Sequence, residues 1–434
     1  MEQRRILFVP LDWGLGHATR ILPLIREAVA AGDRVWIGGN GRSGAWLRSR
    51  FPELPFEEAP AWTPVHRGSL VVDFVSGIAG YWRSLKADRE WAGEVAGRLQ
   101  LTHLVSDHRY GLGGGKGLKK ILVVHQVWPA LPFWASHWLP EAWAFRIQGW
   151  LLGPLLARWM GGFDQWWIPD QALSSRALAP ALSQTRGLER LRPYAGTKSA
   201  LAPEVRYLGW LSRWTVHVPW SQPAPEENRV GGGMVLVVLS GPEPGRSDME
   251  NTLLEQWGLM LQNSSYNEKT SLPKEMNPGL RGVNQEVAGK GIGPEGNQEM
   301  PAELWLMRGI PEGSLALAPR EGVRVWDSPD EQTLCHAILK ADLVVGRPGY
   351  SSLMDYAALA GTDSSPALRL ALVPARGHSE QEYLAKRLSD RGLAWTSSQH
   401  EFSLASAWQQ RHQTAFTLGR ESGDLWRATE MQLS

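Results

Sequence analysis

Short, unbroken apolar runs alternate along this chain with longer stretches in which apolar positions recur every three or four residues. This is the pattern of buried parallel strands linked by amphipathic helices. The first instance is Ile6, Leu7, Phe8 and Val9, followed by Ile21, Leu22, Ile25, Ala28 and Val29 at helical spacing up to Gly32. A second strand is expected over Arg34–Gly38, so the chain opens as a βαβ unit. Further strands are expected at Leu101–Val105 and Lys120–Val124, then at Met234–Leu239, Glu303–Met307, Leu343–Val345, Leu370–Val373 and Leu393–Trp395. S-x-x-E sequences at Ser247–Glu250, Ser328–Glu331 and Ser379–Glu382 have the form of capping boxes and mark expected helix starts. The pattern reads as an α/β protein of two Rossmann-like, doubly wound domains facing across a cleft.

A chain of 434 residues accommodates two to three domains of roughly 150 residues each. The first half closes near Tyr207–Arg213, and a stretch rich in Pro, Gly and charge follows from Pro219 to Gly233. We place an N-terminal domain at 1–213, a linker at 214–232 and a C-terminal domain at 233–434. Between 262 and 300 the composition turns to Asn, Glu, Gly, Lys and Pro, which cannot bury enough apolar surface to offset ordering entropy. That insertion is expected to be disordered. Helical segments around Leu404–Phe416 and Asp424–Met431 are expected to pack back across the domain boundary.

Composition narrows the function classes. With 45 basic and 44 acidic residues the net charge is +1, so no general attraction to nucleic acid is implied. The single cysteine, Cys335, excludes an internal disulfide framework and a thiolate-rich zinc site, and fits a reducing, cytoplasmic compartment. A core strand expected so near the N-terminus leaves no room for a signal peptide. Many of the 23 tryptophans crowd into 128–167, among them Trp128, Trp134, Trp138, Trp143, Trp150, Trp159 and Trp166. Such a region fits either a packed helical segment beside the cleft or peripheral contact with the inner face of a membrane. The longest apolar stretch, Gly149–Met160, is broken by Pro154 and Arg158 and is too short to span a bilayer.

Candidate chemistry lies where strands run into glycine turns. The first turn, Trp13-Gly14-Leu15-Gly16-His17-Ala18-Thr19, carries a histidine to the carboxyl edge of the sheet. It is a poor dinucleotide fingerprint: Thr19 replaces the third glycine, and strand two ends in Gly38-Gly39-Asn40 without the acid that holds a ribose. Asp107, His108 and Arg109 after one strand, and His125 and Gln126 after another, are placed to line the same crevice. In the second half, Gly346-Arg347-Pro348-Gly349-Tyr350-Ser351-Ser352 precedes a helix, an arrangement suited to a diphosphate, with Asp355 one turn on as a ribose acceptor. The next crossover presents Glu380 and Gln381 to sugar hydroxyls, with Glu382 as a cap.

Taken in order, Gly14-Leu15-Gly16-His17-Ala18-Thr19-Arg20, Ser240-Gly241-Pro242-Glu243-Pro244-Gly245-Arg246, the run from Gly346 to Asp355 and Glu380-Gln381-Glu382-Tyr383 resemble a bacterial GT-B glycosyltransferase. The pattern is similar to that of family 28, the group containing the transferase that adds N-acetylglucosamine to the undecaprenyl-linked peptidoglycan precursor. The resemblance implies a UDP-sugar donor, as co-substrate without further cofactor, held by the C-terminal domain. It also implies a hydroxyl acceptor, lipid-linked or a glycan, on the N-terminal domain. By motif position Asp355 takes the ribose, Glu380 and Gln381 read the sugar, and Gly349, Tyr350, Ser351 and Ser352 form the diphosphate turn. Ser240, Gly241 and Arg246 belong to a second phosphate loop, stiffened by Pro242 and Pro244. Gly14, Gly16 and Thr19 form the acceptor-side loop. Pro348 and the 262–300 insertion depart from the pattern.

In such a transferase His17 is the expected base, with its ring oriented by Asp107, while Arg347, Arg246 and the helix start at Ser351 stabilise the leaving diphosphate. The chain has no Asp-x-Asp triplet, so metal-independent transfer of a hexosyl or N-acetylhexosaminyl group is expected. Alternatives are a nucleotide-sugar hydrolase or epimerase on the same fold, and a non-catalytic nucleotide-sugar sensor.

Overall fold

The computed structural model describes residues 3–61, 70–114, 117–127, 150, 153–171, 177–178, 204–214, 233–241, 243–270, 300–310, 317–360 and 367–418, with backbone alone at 70–79 and 263–270. The linker beyond Trp214, residues 271–299, Trp128, Trp134, Trp138, Trp143, Pro242 and Asp424–Met431 lie outside the described residues.

The first sheet contains β1 (Arg5–Pro10), β2 (Arg34–Gly39), β3 (Phe56–Glu58), β4 (His103–Asp107), β5 (Lys119–Val123), β6 (Gln165–Ile168) and β7 (Glu204–Tyr207). All pair in parallel, in the order β3-β2-β1-β4-β5-β6-β7. Because side chains alternate across a strand, Ile6 and Phe8 enter one apolar layer and Leu7 and Val9 the other, so both faces are covered. The helices are α1 (Leu15–Ala30), α2 (Gly41–Arg50) and α3 (Leu70–Leu99), of which α3 lays Ala92 and Val95 on the Leu7 face.

The second sheet contains β8 (Met234–Val238), β9 (Glu303–Met307), β10 (Val323–Trp326), β11 (Leu343–Gly346), β12 (Leu370–Leu372) and β13 (Trp395–Thr396), in the order β10-β9-β8-β11-β12-β13 and again parallel. Its helices are α4 (Gly245–Thr270), α5 (Glu331–Lys340), α6 (Tyr350–Ala360), α7 (Ser379–Asp390) and α8 (Leu404–Gln409). Strand order reverses between β1 and β4 in one sheet and between β8 and β11 in the other. Each reversal opens a crevice at the carboxyl edge, where ligands of such sheets bind.

Several local expectations are corrected. α4 continues to Thr270, into the segment expected to be disordered from Gln262; extending a nucleated helix costs little per residue. None of the three expected capping boxes forms. Ser247 lies inside α4, its N–H held by Glu243 Oε2 at 3.1 Å, because Glu250 is drawn into ion pairs with Arg246 and Arg308. Asp330, not Ser328, caps α5 by accepting from Thr333 N at 2.6 Å. Before α7 the N-cap is His378, and Glu382 accepts from Gly377 N at 3.1 Å. α8 packs within the C-terminal sheet system and not across to the first: Leu404, Ala407 and Trp408 complete the layer formed by Val235, Val237 and α4.

The sheets share one apolar cluster that runs from Ile6 and Ile21 through Trp210 and Trp214 to Leu353 and Tyr356. Polar pins fix its margins. Asp355 accepts from Ser212 Oγ at 2.7 Å and Arg213 Nε at 3.1 Å, and Arg26 donates to Glu331 at 3.1 Å. Cys335 is buried beneath this junction, its thiol pushed up to about 12 by burial and then by the nearby Asp355. Trp159, Trp166 and Trp167 are core residues, whereas Trp150 is 75% exposed. No helix of the described residues is long and apolar enough to cross a membrane.

The loop after β4 is anchored from behind by a buried ion pair. Arg109 donates to Asp88 of α3 at 2.6 Å and to Asn40 Oδ1 at 3.3 Å, and also reaches the Pro60 carbonyl. Removing one partner strands a buried charge. Asp88→Ala is therefore expected to cost about 3–5 kcal/mol, read as a lowered denaturation midpoint at unchanged slope.

Candidate active site

β1 ends at Pro10 in register with Asp107 of β4, so the glycine turn and the carboxylate meet at the reversal point of the first sheet. Asp107 belongs to β4 itself and does not lie past its end as expected. Gly14, with φ 91°, is the N-cap of α1 and makes no side-chain cap; the positive φ favours glycine there. Thr19 is buried and turns its hydroxyl back to the Gly16 carbonyl at 3.1 Å, so it braces the turn.

His17, Arg20, His108 and His125 surround Asp107. Arg20 is buried and grips both carboxylate oxygens, Nε donating to Oδ2 at 3.0 Å and Nη2 to Oδ1. Its other N–H groups reach His125 Nδ1 at 2.7 Å and His17 Nδ1 at 2.9 Å. Burial pushes Asp107 up, but Arg20 and then His17 outweigh it and hold the carboxyl well below its usual range. Burial, followed by the proximity of His125, takes His108 down to about 3, so it is neutral; its backbone is left-handed at φ 56°. His17 and Asp107 are thus together, at 3.2 Å, but Asp107 is not simply the orienting partner expected: Arg20 lies nearer to His17 Nδ1. His17 Nε2 has no hydrogen-bond partner among the described residues, and the His17 side chain is 14% exposed.

Three ligand-type atoms of His17, Asp107 and His108 lie within 4.8 Å of one another, a spacing that could hold a cation. The cation there is the Arg20 guanidinium, which contacts all three groups. Its burial on the helix face shared with His17 and Leu24, an i, i+3, i+7 stripe, was the available sequence signal for this residue.

Across the cleft, α6 begins at Tyr350, earlier than expected, so Ser351 and Ser352 occupy its first turn. The amides of Tyr350, Ser351 and Ser352 precede the first helical bond, Leu353 N to Gly349 O at 3.0 Å. Ser351 Oγ donates to the Gly16 carbonyl at 2.8 Å, and a methyl on Gly16 would meet that oxygen at 3.1 Å. The starts of α1 and α6 therefore face each other, and neither has an acidic residue in its first turn. The starts of α4, α5 and α7 carry Asp248, Glu331 and Glu380 with Glu382. Neither of the two facing helix ends carries, in its own first turn, an acidic side chain to offset its partial positive charge.

Glu380 accepts from His125 Nε2 at 3.0 Å and from the Gln126 amide; burial would raise it, but His125 holds it below the ordinary carboxylate range. The His125 ring also lies 4.5 Å from that of Tyr350. Other expected donor residues are engaged elsewhere. Both Asp355 oxygens serve the Ser212–Arg213 pin, since Asp355 lies on the buried side of α6. Arg246 pairs with Glu243 and Glu250, and so does not aim at a leaving group. Arg347, brought down to about 10 by burial, binds the Val373 and Gly245 carbonyls and Gln399, bracing the turn from within. Gln381 Oε1 accepts from Ala375 N at 2.9 Å and fixes the β12 loop. Ser240 and the exposed Gly241, at φ 101°, follow β8 beside the same reversal point.

No protein-family model and no curated protein matches the sequence. Solved structures do. The glycotransferase of kitacinnamycin superposes with TM-score 0.54 at 14% identity, over 99% of this chain and 98% of the other. The glycosyltransferase SnogD from Streptomyces nogalater gives TM-score 0.53 at 13% identity, over 99% and 97%. A candidate UDP-N-acetylglucosamine 2-epimerase from Listeria monocytogenes gives 0.51 at 11%, over 99% and 94%. Together with the paired parallel sheets, these likenesses establish the fold of the chain as α/β, with the two-domain GT-B architecture.

Proposed function

We propose that the protein is a glycosyltransferase that moves a hexosyl or N-acetylhexosaminyl group from a UDP-sugar to a hydroxyl acceptor without a metal ion. The observation that carries this reading is the meeting of the α1 and α6 helix starts, both free of acidic residues, beside His17. A diphosphate there would receive the unpaired amides of Tyr350, Ser351 and Ser352, and the helix ends would stabilise the charge that builds on it as the glycosidic bond breaks. The Ser351 hydroxyl would exchange Gly16 for a phosphate oxygen.

The acceptor hydroxyl must lose a proton as its oxygen attacks the anomeric carbon. His17 Nε2 is the open imidazole nitrogen at the cleft, and it takes that role in the proposal. Glu380, at the edge of the same space, is suited to accept from a sugar hydroxyl once it leaves His125 and Gln126. For Asp355 to grip the donor ribose, it would first have to release Arg213 and Ser212.

Incubation with a panel of nucleotide sugars and a hydroxyl-bearing acceptor library, with release of nucleoside diphosphate as the signal, tests the assignment. His17→Gln is expected to lower kcat roughly 10²–10⁴-fold with donor affinity retained. Unchanged turnover would remove His17 as base. Donor consumption at full rate with no acceptor present would favour the hydrolase or epimerase reading, and donor binding with no turnover would favour a sensor.

Activity in excess chelator is expected to match that in buffer. A loss restored by magnesium alone would overturn metal independence.

A further inference from the structure

The hydrogen-bond geometry around Arg20 constrains where the His17 proton sits. A guanidinium nitrogen only donates, so a 2.9 Å contact between Arg20 Nη2 and His17 Nδ1 is a hydrogen bond only if Nδ1 carries no proton. The donor count agrees. Nε and one Nη2 hydrogen go to Asp107, the second Nη2 hydrogen goes to His17, and an Nη1 hydrogen goes to His125 Nδ1 at 2.7 Å. His125 must then carry its proton on Nε2, where it donates to Glu380 at 3.0 Å. His108 differs: its Nδ1 is 3.0 Å from Asp107 Oδ1 and 3.3 Å from Arg20, so it donates to the carboxylate. Each imidazole thus has one consistent assignment. Asp107 Oδ1, already receiving from Arg20 and His108, lies farther from His17 Nδ1, at 3.2 Å.

We propose that Arg20 is a positioning residue that holds His17 in the Nε2–H tautomer while the site is empty, so that the base is latent. A nitrogen that carries a proton cannot accept one from a hydroxyl. For His17 to act, the guanidinium must swing its Nη2 off Nδ1. The ring proton then moves to Nδ1 and bonds Asp107, and the Nε2 lone pair opens to the cleft, with no net gain or loss of protons. The arrangement keeps a strong proton acceptor from meeting the anomeric carbon and stray water before an acceptor is seated. This inference rests on His17 as the base, but its test does not.

The tautomer is read directly from long-range proton–nitrogen correlations of ¹⁵N-labelled full-length protein without ligand, at about pH 8, above the ordinary histidine range. The His17 signals are assigned by their loss in His17→Gln. The expected result is a protonated Nε2 and a bare Nδ1 in the wild type. In Arg20→Gln the protonated nitrogen is expected to change to Nδ1, and Arg20→Lys, which restores a cationic donor, is expected to return it to Nε2. A wild-type His17 protonated at Nδ1, or at both nitrogens, overturns the proposal even if the variants do not fold. An Arg20→Gln protein with the wild-type tautomer overturns it equally. Retained turnover in His17→Gln would instead remove the base assignment and leave the tautomer to the spectrum.

Discussion

The ion pair between Arg20 and Asp107 organises the N-terminal edge of the cleft. Both side chains are buried, so the pair persists only because each charge has further partners, and those partners are three histidines, of which His125 reaches the opposing domain through Glu380. The pair ties the first helix to the fourth strand at the point where the sheet order reverses. It also fixes His125, which in turn holds Glu380 of the other domain, so one buried cation sets the spacing of groups from both halves.

The strand positions were legible in the sequence because a parallel sheet buried on both faces leaves unbroken apolar runs. Glu303–Met307 was read to the residue, and the strands around Ile6, Val35, Ile121, Leu236, Val344 and Leu370 to within a residue or two. The short strands β3 and β10, half-buried and mixed in polarity at sheet edges, gave no such signal. Nor did β6 and β7, since Gln165-Trp166-Trp167-Ile168 and Glu204-Val205-Arg206-Tyr207 read equally as tryptophan-rich and charged surface. Helix starts were misplaced because a capping box is a local rule, and Glu250 obeys a tertiary one, the demand of Arg246 and Arg308 for a buried counter-charge.

Of the candidate site, the glycine turns and His17 were legible because backbone chemistry at a strand end depends on few neighbours. The partners of long side chains were not. Arg347, Arg246, Gln381 and Asp355 all lie near the expected loops, but their polar atoms support those loops from inside or pin the domain junction, and nothing in a linear motif separates a ligand-facing arginine from one that braces a turn. Arg20 went unread for the opposite reason: a charged residue within an apolar helix is usually taken for a solvent-facing one, whereas here it is almost fully enclosed.

Cys335 gives the fold an experimental opening. Its sulfur is enclosed beneath the domain junction and its thiol is held up at about 12, so very little thiolate exists near neutrality to react with a maleimide or an oxidant. Dye pairs or spin labels introduced on new surface cysteines, one in each lobe, would therefore attach selectively without any need to delete the native thiol. The distance between the lobes could then be followed in an otherwise unaltered chain, and a sudden reactivity of Cys335 would itself report that the junction had come apart.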